Sequence, residues 1–149
     1  MPLPVQGPLH YFAGSWRLSR RILDRRAGLI GRMSGEAQFI RDQDGLDFVE
    51  RGIMIYGAHR GPASQAYRWV MLEDGQAEIR FKDGRLFHPL DLRQGSMVVD
   101  HQCGADHYRG RFRIVTENRW FSRWQVAGPR KDVTIVSLFQ RVSAPAAGA

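Results

Sequence analysis

Cysteine, lysine and long apolar runs are scarce in this sequence of 149 residues, and each scarcity excludes a class of protein. The single cysteine, Cys103, rules out an internal disulfide and a Cys-rich zinc module. No segment approaches the ~20 consecutive apolar residues of a membrane-spanning helix. Residues 1–8 lack the charged start and apolar stretch of a secretory signal. We therefore predict a cytoplasmic protein with no membrane partner.

Lysine accounts for only two of the 22 basic residues, Lys82 and Lys131. A net charge of +7 carried almost wholly by arginine is more typical of codon bias than of selection for phosphate binding. No recognised nucleic-acid-binding motif is present, so we expect no nucleic-acid partner and keep polyanion binding as the third hypothesis. Its candidate surfaces are the basic stretch 17–26 and the outward stripe His107, Arg109, Arg111 and Arg113.

The composition favours one globular domain. The chain is 43% hydrophobic and 11% aromatic, which is enough to fill a core. It contains no repeat and no internal linker, so we assign residues 1–143 to a single domain and expect residues 144–149 to form a flexible tail. The only predicted helix is about one turn long, because Pro8 suits the first helical position and Gly14 ends it.

Short strands separated by turn residues fill the rest of the chain. Turn pairs such as Asp83-Gly84 and Gly104-Ala105 recur between them at close spacing. About ten antiparallel strands in a small domain predict an all-β, up-and-down sheet that avoids exposed edges by closing into a barrel. The candidate strands are 15–24, 32–41, 46–56, 66–73, 76–82, 85–91, 96–103, 106–115, 119–127 and 133–142.

The hairpin around Asp83-Gly84 predicts which side chains face the interior near the middle of the chain. A two-residue loop there pairs Phe81 with Leu86 and Ile79 with His88. These four residues form the apolar face of the hairpin, whereas the opposite face is basic. The register therefore places His88 inside the barrel.

For the preceding hairpin, the sequence leaves undecided which side chains face the interior and which face solvent. A two-residue loop at Asp74-Gly75 would turn the large side chains of Tyr67 and Trp69 outward. A bulge at the same place would reverse them and turn them inward. The residues whose inward or outward direction the sequence leaves undecided are Tyr67, Trp69, Glu50, Trp120 and Trp124.

The hairpin at Gly104-Ala105 has the clearest register. One face of its second strand carries the His107 and arginine stripe, which must face solvent. Alternation then turns the opposite face of both strands inward. The predicted cross-strand pairs on this inner face are Cys103 with Asp106, His101 with Tyr108, Val99 with Gly110 and Met97 with Phe112.

Residues near the two ends of the chain resemble the signature of the calycin superfamily, the lipocalin-like barrels. Gly14-Ser15-Trp16 follows the short helix and opens the first strand, and Arg141 lies near the end of the last strand in phase with Phe139. In that superfamily the tryptophan closes one end of the barrel and the arginine stacks across it, a cation–π contact worth roughly 0.5–2 kcal/mol. The resemblance implies that Trp16 and Arg141 form such a structural pair.

The sequence is also similar to a narrower group, an uncharacterised bacterial family whose domain of unknown function is a lipocalin-like barrel. This resemblance covers roughly residues 10–142 and implies the fold, but it brings no established activity and no functional residue. Haem-binding calycins continue with further glycines that residues 17–20 lack, so no cofactor is predicted. The stretches that carry the resemblance are 14–20, 81–88, 101–108 and 124–132.

Polar side chains on the predicted inner face form the candidate site. An apolar cup with a few convergent polar groups is the usual form of a small-molecule site, and histidine can act there as acid or base. The alternative is a structural polar network in which Asp106 holds the turn and Cys103 fills the core. No clustered ligand spacing supports zinc, so we predict no metal site. The candidate ligand-binding residues are His88, His101, Cys103, Asp106, Tyr108, Glu50 and Lys131.

Two of these candidates depend on additional arguments. Lys131 lies in the last turn and offers a titratable amine that arginine lacks; the alternative is a solvated loop lysine beside Asp132. Glu50 faces inward in one parity and solvent in the other. If it is buried it needs a partner, for which Arg68 and Arg80 are the candidates.

The favoured function is the binding of a small hydrophobic or amphipathic molecule inside the barrel. The alternative is a small-molecule isomerase, cyclase or hydratase that uses the inward His, Asp and Tyr side chains. Outward Val136 and Leu138 on the last strand suggest a face for a homodimer.

Overall fold

The computed structural model describes residues 1–143, and the predicted tail 144–149 lies outside the described residues. It consists of one short helix, ten strands and a 3₁₀ turn at Glu73–Gly75. Among the described residues no helix is long and apolar enough to cross a membrane. The elements are α1 (Pro8–Phe12), β1 (Gly14–Asp24), β2 (Leu29–Arg41), β3 (Gly45–Tyr56), β4 (His59–Met71), β5 (Gln76–Arg80), β6 (Leu86–Asp91), β7 (Ser96–Cys103), β8 (Asp106–Thr116), β9 (Arg119–Gly128) and β10 (Lys131–Ser143).

The ten strands form one antiparallel sheet that curls into a nearly closed barrel, as the sequence predicts. The strand order is β6-β5-β4-β3-β2-β1-β10-β9-β8-β7. Each pair of hydrogen-bonded neighbours is antiparallel, and the first strand, β1, pairs with the last, β10. Within the described residues no hydrogen-bond ladder joins the two end strands, β6 and β7. Side chains bridge that seam instead, with the rings of Phe87 and His101 5.0 Å apart.

Strands β2 and β4 start earlier than their sequence patterns predict. Strand β4 begins at His59 because residues 57–58 form a tight turn in which Gly57 has a φ of +59°. Pro62 therefore lies inside a strand, opposite Ile53. The missing N–H of Pro62 has little effect on stability, because β4 pairs with β5 only from Arg68 onward. The edge of β4 that faces β5 therefore has no inter-strand hydrogen bonds at Pro62.

In the hairpin between β5 and β6 the predicted pairing of Phe81 with Leu86 is wrong. Ile79 pairs with His88, but the loop has three residues because the Phe81 N–H donates to the Arg85 carbonyl at 2.9 Å. The shift between Ile79 and Arg80 turns Leu86 outward, where it is 45% exposed, and not inward as predicted. Gly84, with a φ of +91°, supplies the left-handed residue that this loop type requires.

A three-residue loop also determines which side chains of the hairpin between β4 and β5 face the interior. The Leu72 N–H donates to the Gln76 carbonyl at 2.8 Å, and residues 73–75 lie between them. This reverses the two-residue register, so Trp69 is buried and Tyr67 faces the interior. Trp120 is buried inside the barrel and Trp124 lines its interior.

The N-terminal segment and α1 close one end of the barrel. The Leu3 N–H donates to Ile114 O at 2.9 Å and the Val5 N–H to Leu92 O at 2.8 Å, which fixes the segment across the turns at that end. Phe12 and Trp16, both 0% exposed, pack beneath it. The guanidinium of Arg141 lies 4.2 Å from the centre of the Trp16 ring, the arrangement that the resemblance implies.

Candidate functional site

A cavity of about 290 Å³ lies inside the barrel. The turns at 25–28, 57–58, 104–105 and 129–130 surround the end of the barrel opposite α1, and none of the described helices covers that end. Half of the residues that line it are aromatic. The aromatic residues that line the cavity are Phe48, Tyr67, Trp69, Phe87, His88, Tyr108, Phe112, Trp120, Trp124 and Phe139.

A buried ion pair lies in the wall of this cavity. Glu50 is 2% exposed, and both of its oxygens accept from Arg20, Oε1 from Nη1 at 3.0 Å and Oε2 from Nη2 at 2.7 Å. The Nε of Arg20 donates to Ser137 Oγ at 2.7 Å. Bidentate, charge-assisted bonds of this kind are strong and hold both side chains in one orientation.

The partner of Glu50 differs from both sequence candidates. Arg68 and Arg80 lie on the outer face, where Arg68 pairs with Asp42 and Arg80 pairs with Glu78. Arg20 was missed although a signal for it exists: it is in phase along β1 with buried Trp16 and Leu18. A period of two from Trp16 therefore turns Arg20 inward.

His88 is the buried histidine of the cavity, with 2% of its surface exposed. Its Nδ1 lies 2.7 Å from the carbonyl oxygen of Pro89. Burial lowers the pKa of His88 to about 4, because the surrounding apolar groups disfavour the charged imidazolium. The side chain is therefore neutral near pH 7.

Tyr67 places a hydroxyl group next to the ion pair. Burial, and after it the charge of Glu50, raises the pKa of Tyr67 to about 12. The hydroxyl is therefore protonated at neutral pH and accepts a hydrogen bond from the Gln65 amide. Its own proton remains available for a polar group in the cavity.

A second polar group lies at the open end of the barrel. Lys131 Nζ lies 3.1 Å from Asp106 Oδ2, and this hydrogen bond is the main reason that the pKa of Lys131 is raised. Lys131 is about half exposed. It is therefore neither the free amine of a solvated loop nor a cavity residue, but part of a polar rim beside Tyr108.

The structure places five of the seven predicted ligand-binding residues in the cavity or at its rim. Glu50, His88 and Tyr108 line the cavity, whereas Asp106 and Lys131 pair at its rim. The predicted pairs of the 104–105 hairpin are all present, so His101 and Cys103 do share a face with Tyr108. Yet Cys103 is exposed at the hairpin tip, and His101 packs against Phe87 at the seam.

Within residues 1–143, no group of three His, Cys, Asp or Glu side chains is arranged to hold a metal ion. His88, the buried histidine of the cavity, has no metal-ligating side chain among the rings packed against it. The rings nearest to it belong to Phe87, Phe112 and Trp124, none of which is a metal ligand. The polar side chains that line the cavity are neutral hydrogen-bonding groups and one internal ion pair.

Comparison with solved structures finds several similar chains. The S-type phycobiliprotein lyase CPES from Guillardia theta superposes with a TM-score of 0.66 at 10% identity, covering 95% of this chain and 94% of that chain. A redesigned β-barrel, mFAP1, bound to DFHBI gives 0.46 at 13% identity over 88% of this chain and 95% of that one. A DUF3598-family protein of unknown function from Nostoc punctiforme gives 0.49 at 11% identity, over 95% of this chain and 51% of that one.

At 10% identity the likeness to the phycobiliprotein lyase shows the fold and carries no residue roles. No curated protein matches the chain significantly. The family model that matches covers residues 12–141, which includes every strand except the last residues of β10. The chain belongs to the family of unknown function DUF6314.

Proposed function

We propose that the protein binds a small hydrophobic or amphipathic molecule inside the barrel. The observation that best supports this is the cavity of about 290 Å³, which is lined by aromatic rings and carries a few polar groups at defined positions. A barrel of this size commonly holds one small ligand. The cytoplasmic location inferred from the sequence is part of this proposal.

The Arg20–Glu50 pair supports a binding role over a purely structural core. Burying an ion pair contributes little net stability compared with well-packed apolar side chains. Its position in the cavity wall, beside the Tyr67 hydroxyl and Ser137, offers polar contacts to one end of a ligand. The isomerase, cyclase or hydratase alternative would use the same cavity and stays a prediction.

Binding of N-phenyl-1-naphthylamine, a neutral fluorescent apolar probe, tests the proposal. Ser122 is 6% exposed and lines the cavity, so Ser122→Phe places a ring in the ligand space. Gln125, on the same strand, points to solvent, and Gln125→Phe is the matched control. We expect saturable binding to the unmodified protein and the control, and at least tenfold weaker binding to Ser122→Phe.

Two results would contradict the proposal. One is the absence of saturable fluorescence enhancement up to the solubility limit of the probe. The other is equal affinity of Ser122→Phe and the unmodified protein, with circular dichroism showing that the variant is folded, because the probe would then bind outside the barrel.

A further inference from the structure

His88 has one ring nitrogen engaged by the protein and one that is not. Pro89 O can only accept, so the Nδ1 of His88 donates to it at 2.7 Å. In the neutral imidazole the proton on Nδ1 leaves Nε2 as a hydrogen-bond acceptor. No hydrogen bond from the described residues reaches Nε2, and the side chain lines the cavity.

Aromatic rings enclose His88 on several sides. The ring centres of Phe87, Phe112 and Trp124 lie 4.8 Å, 5.3 Å and 5.4 Å from that of His88. Such rings favour flat ligands, since offset-stacked and edge-to-face contacts both require planar groups. The rings also exclude water, which increases the free-energy cost of leaving a buried acceptor without a donor.

The charges in the cavity wall cancel. Of the described residues that line it, Arg20 and Glu50 carry full charges, and they neutralise each other through two hydrogen bonds. The Nε of Arg20 is also occupied, by Ser137. An ionic ligand would lose its hydration and find no unpaired counter-charge in the wall.

We infer that the ligand class is a neutral, flat, largely apolar molecule bearing an O–H or N–H group that donates to Nε2 of His88. This inference rests on the proposed function and deepens it, because it assigns a specificity-determining residue to the cavity. A phenol or an aromatic N–H compound meets the description, whereas the corresponding ether or carboxylate does not.

Three probes with the same fused ring system test the inference by isothermal titration calorimetry at pH 7. 2-Naphthol has the donor, 2-methoxynaphthalene lacks it, and 2-naphthoate carries a negative charge. We expect 2-naphthol to bind at least fivefold more tightly than the methyl ether, the size of one buried hydrogen bond. We expect 2-naphthoate to bind more weakly than 2-naphthol.

Substitution of His88 connects the preference to that residue. His88→Leu removes the acceptor, so the two neutral probes should bind with equal affinity. His88→Gln keeps a side-chain acceptor and should retain part of the preference for 2-naphthol. Thermal unfolding of both variants checks that each is folded.

The possible outcomes separate the two levels of the proposal. Equal binding of 2-naphthol and its ether by the unmodified protein, or tighter binding of 2-naphthoate, overturns the ligand class while leaving barrel binding intact. A preference that persists in folded His88→Leu overturns the assignment to His88. Failure of all three probes, together with N-phenyl-1-naphthylamine, contradicts the proposed function itself.

Discussion

At the scale of single residues, the Arg20–Glu50 pair and His88 dominate the interior. Each is polar and nearly buried, and each depends on a specific partner: Glu50 on the two Nη atoms of Arg20, and His88 on the Pro89 carbonyl. Removing one partner of a buried pair leaves the other without compensation. These residues should therefore control both the stability of the barrel and the polarity of its cavity.

Glu50→Gln should lower the free energy of unfolding by about 3 kcal/mol, because the Arg20 guanidinium, 14% exposed, is left with no buried counter-charge. Urea unfolding measures the change. Glu36→Gln is the matched control, because Glu36 is an exposed residue of β2 and should be within about 0.5 kcal/mol of the unmodified protein. The double variant Arg20→Met/Glu50→Leu should recover most of the lost free energy of unfolding, because it leaves no unpaired charge. Equal effects of Glu50→Gln and Glu36→Gln would contradict a stabilising role for the buried ion pair.

The stability of the protein should fall as the pH drops from about 6.5 to about 4 because of His88. The unfolded chain binds a proton at the ordinary histidine value of 6.5, whereas burial lowers the pKa of His88 in the folded protein to about 4. Between those values the unfolded state binds more protons, so acid favours unfolding, by about 2 kcal/mol between pH 7 and pH 5.

Urea unfolding at pH 7 and pH 5 checks the contribution of His88. His88→Leu should reduce the difference between the two pH values by about 2 kcal/mol. His59→Gln removes an exposed histidine of β4 and should leave the difference unchanged. A difference that is the same in all three proteins would show that other groups cause it.

At the scale of secondary-structure elements, Arg141 joins three elements at the closed end. It lies over Trp16 of β1 at 4.2 Å, and its Nη2 donates at 2.8 Å to both Tyr11 O of α1 and Glu117 O after β8. A planar guanidinium can stack and donate in its own plane at the same time, which an ammonium group cannot do. The short helix, too short to be stable alone, is thereby fixed to the barrel.

Arg141→Ala should destabilise the protein by about 2 kcal/mol, the combined size of a cation–π contact and charge-assisted hydrogen bonds. Arg141→Lys keeps the charge but should recover less than half of this loss. Arg60→Ala, at an exposed position of β4, is the control. Full recovery by lysine in thermal or urea unfolding would show that charge alone matters at this position.

At the scale of the whole molecule, arginines face each other in pairs on the outer face of the barrel. His107 and Arg109 of the predicted stripe share Asp100, at 3.0 Å and 3.6 Å. Arg111 lies directly opposite Arg123, and on the far side of β10 Arg21 lies opposite Arg32. Within the described part of the chain none of these last four arginines forms an ion pair, and like charges directly opposite each other destabilise a sheet.

Arg123→Gln should raise the melting temperature by roughly 1–3 °C at 10 mM salt, because it removes repulsion from Arg111. The gain should shrink at 0.5 M salt, where the Debye length is shorter than the distance between most surface charges. Differential scanning calorimetry at both concentrations measures it. Arg109→Gln, which loses contact with Asp100, should bring no gain, and a gain equal to that of Arg123→Gln would contradict this account.

Polyanion binding and homodimer formation also belong to this scale, and both stay predictions. For polyanion binding, the guanidinium groups available are those of the two facing pairs, Arg111 with Arg123 and Arg21 with Arg32. Val136, 40% exposed, lies on the outer face of β10 between Arg21 and Arg123, and Leu138, 41% exposed, lies two residues further along the strand. The apolar strip that the sequence predicted for a dimer is thus flanked by positive charge, which disfavours a symmetric contact through it.

The sequence by itself determined the barrel, its strand count and the register of the 104–105 hairpin. Turn residues and the period of two are local properties of the chain, and the Gly104-Ala105 loop follows the two-residue rule. The loops at 73–75 and 82–84 have one residue more. At 73–75 the extra residue reverses the predicted direction of the β4 side chains, whereas at 82–84 the register shift between Ile79 and Arg80 restores the pairing of Ile79 with His88 but leaves Leu86 outward. For that reason Trp69 and Leu86 could not be oriented from the pattern alone.

Only the tertiary structure decided which polar residues share the cavity. Arg20 and Glu50 are 30 residues apart on β1 and β3, and the pairing of both strands with β2 brings their side chains within 2.7 Å. Conversely, His101 and Cys103 share the predicted face but lie at the seam and the exposed tip, because depth along a strand is independent of the face. Alternation specifies the direction of a side chain, whereas its distance from the barrel centre and its partners depend on how all ten strands close.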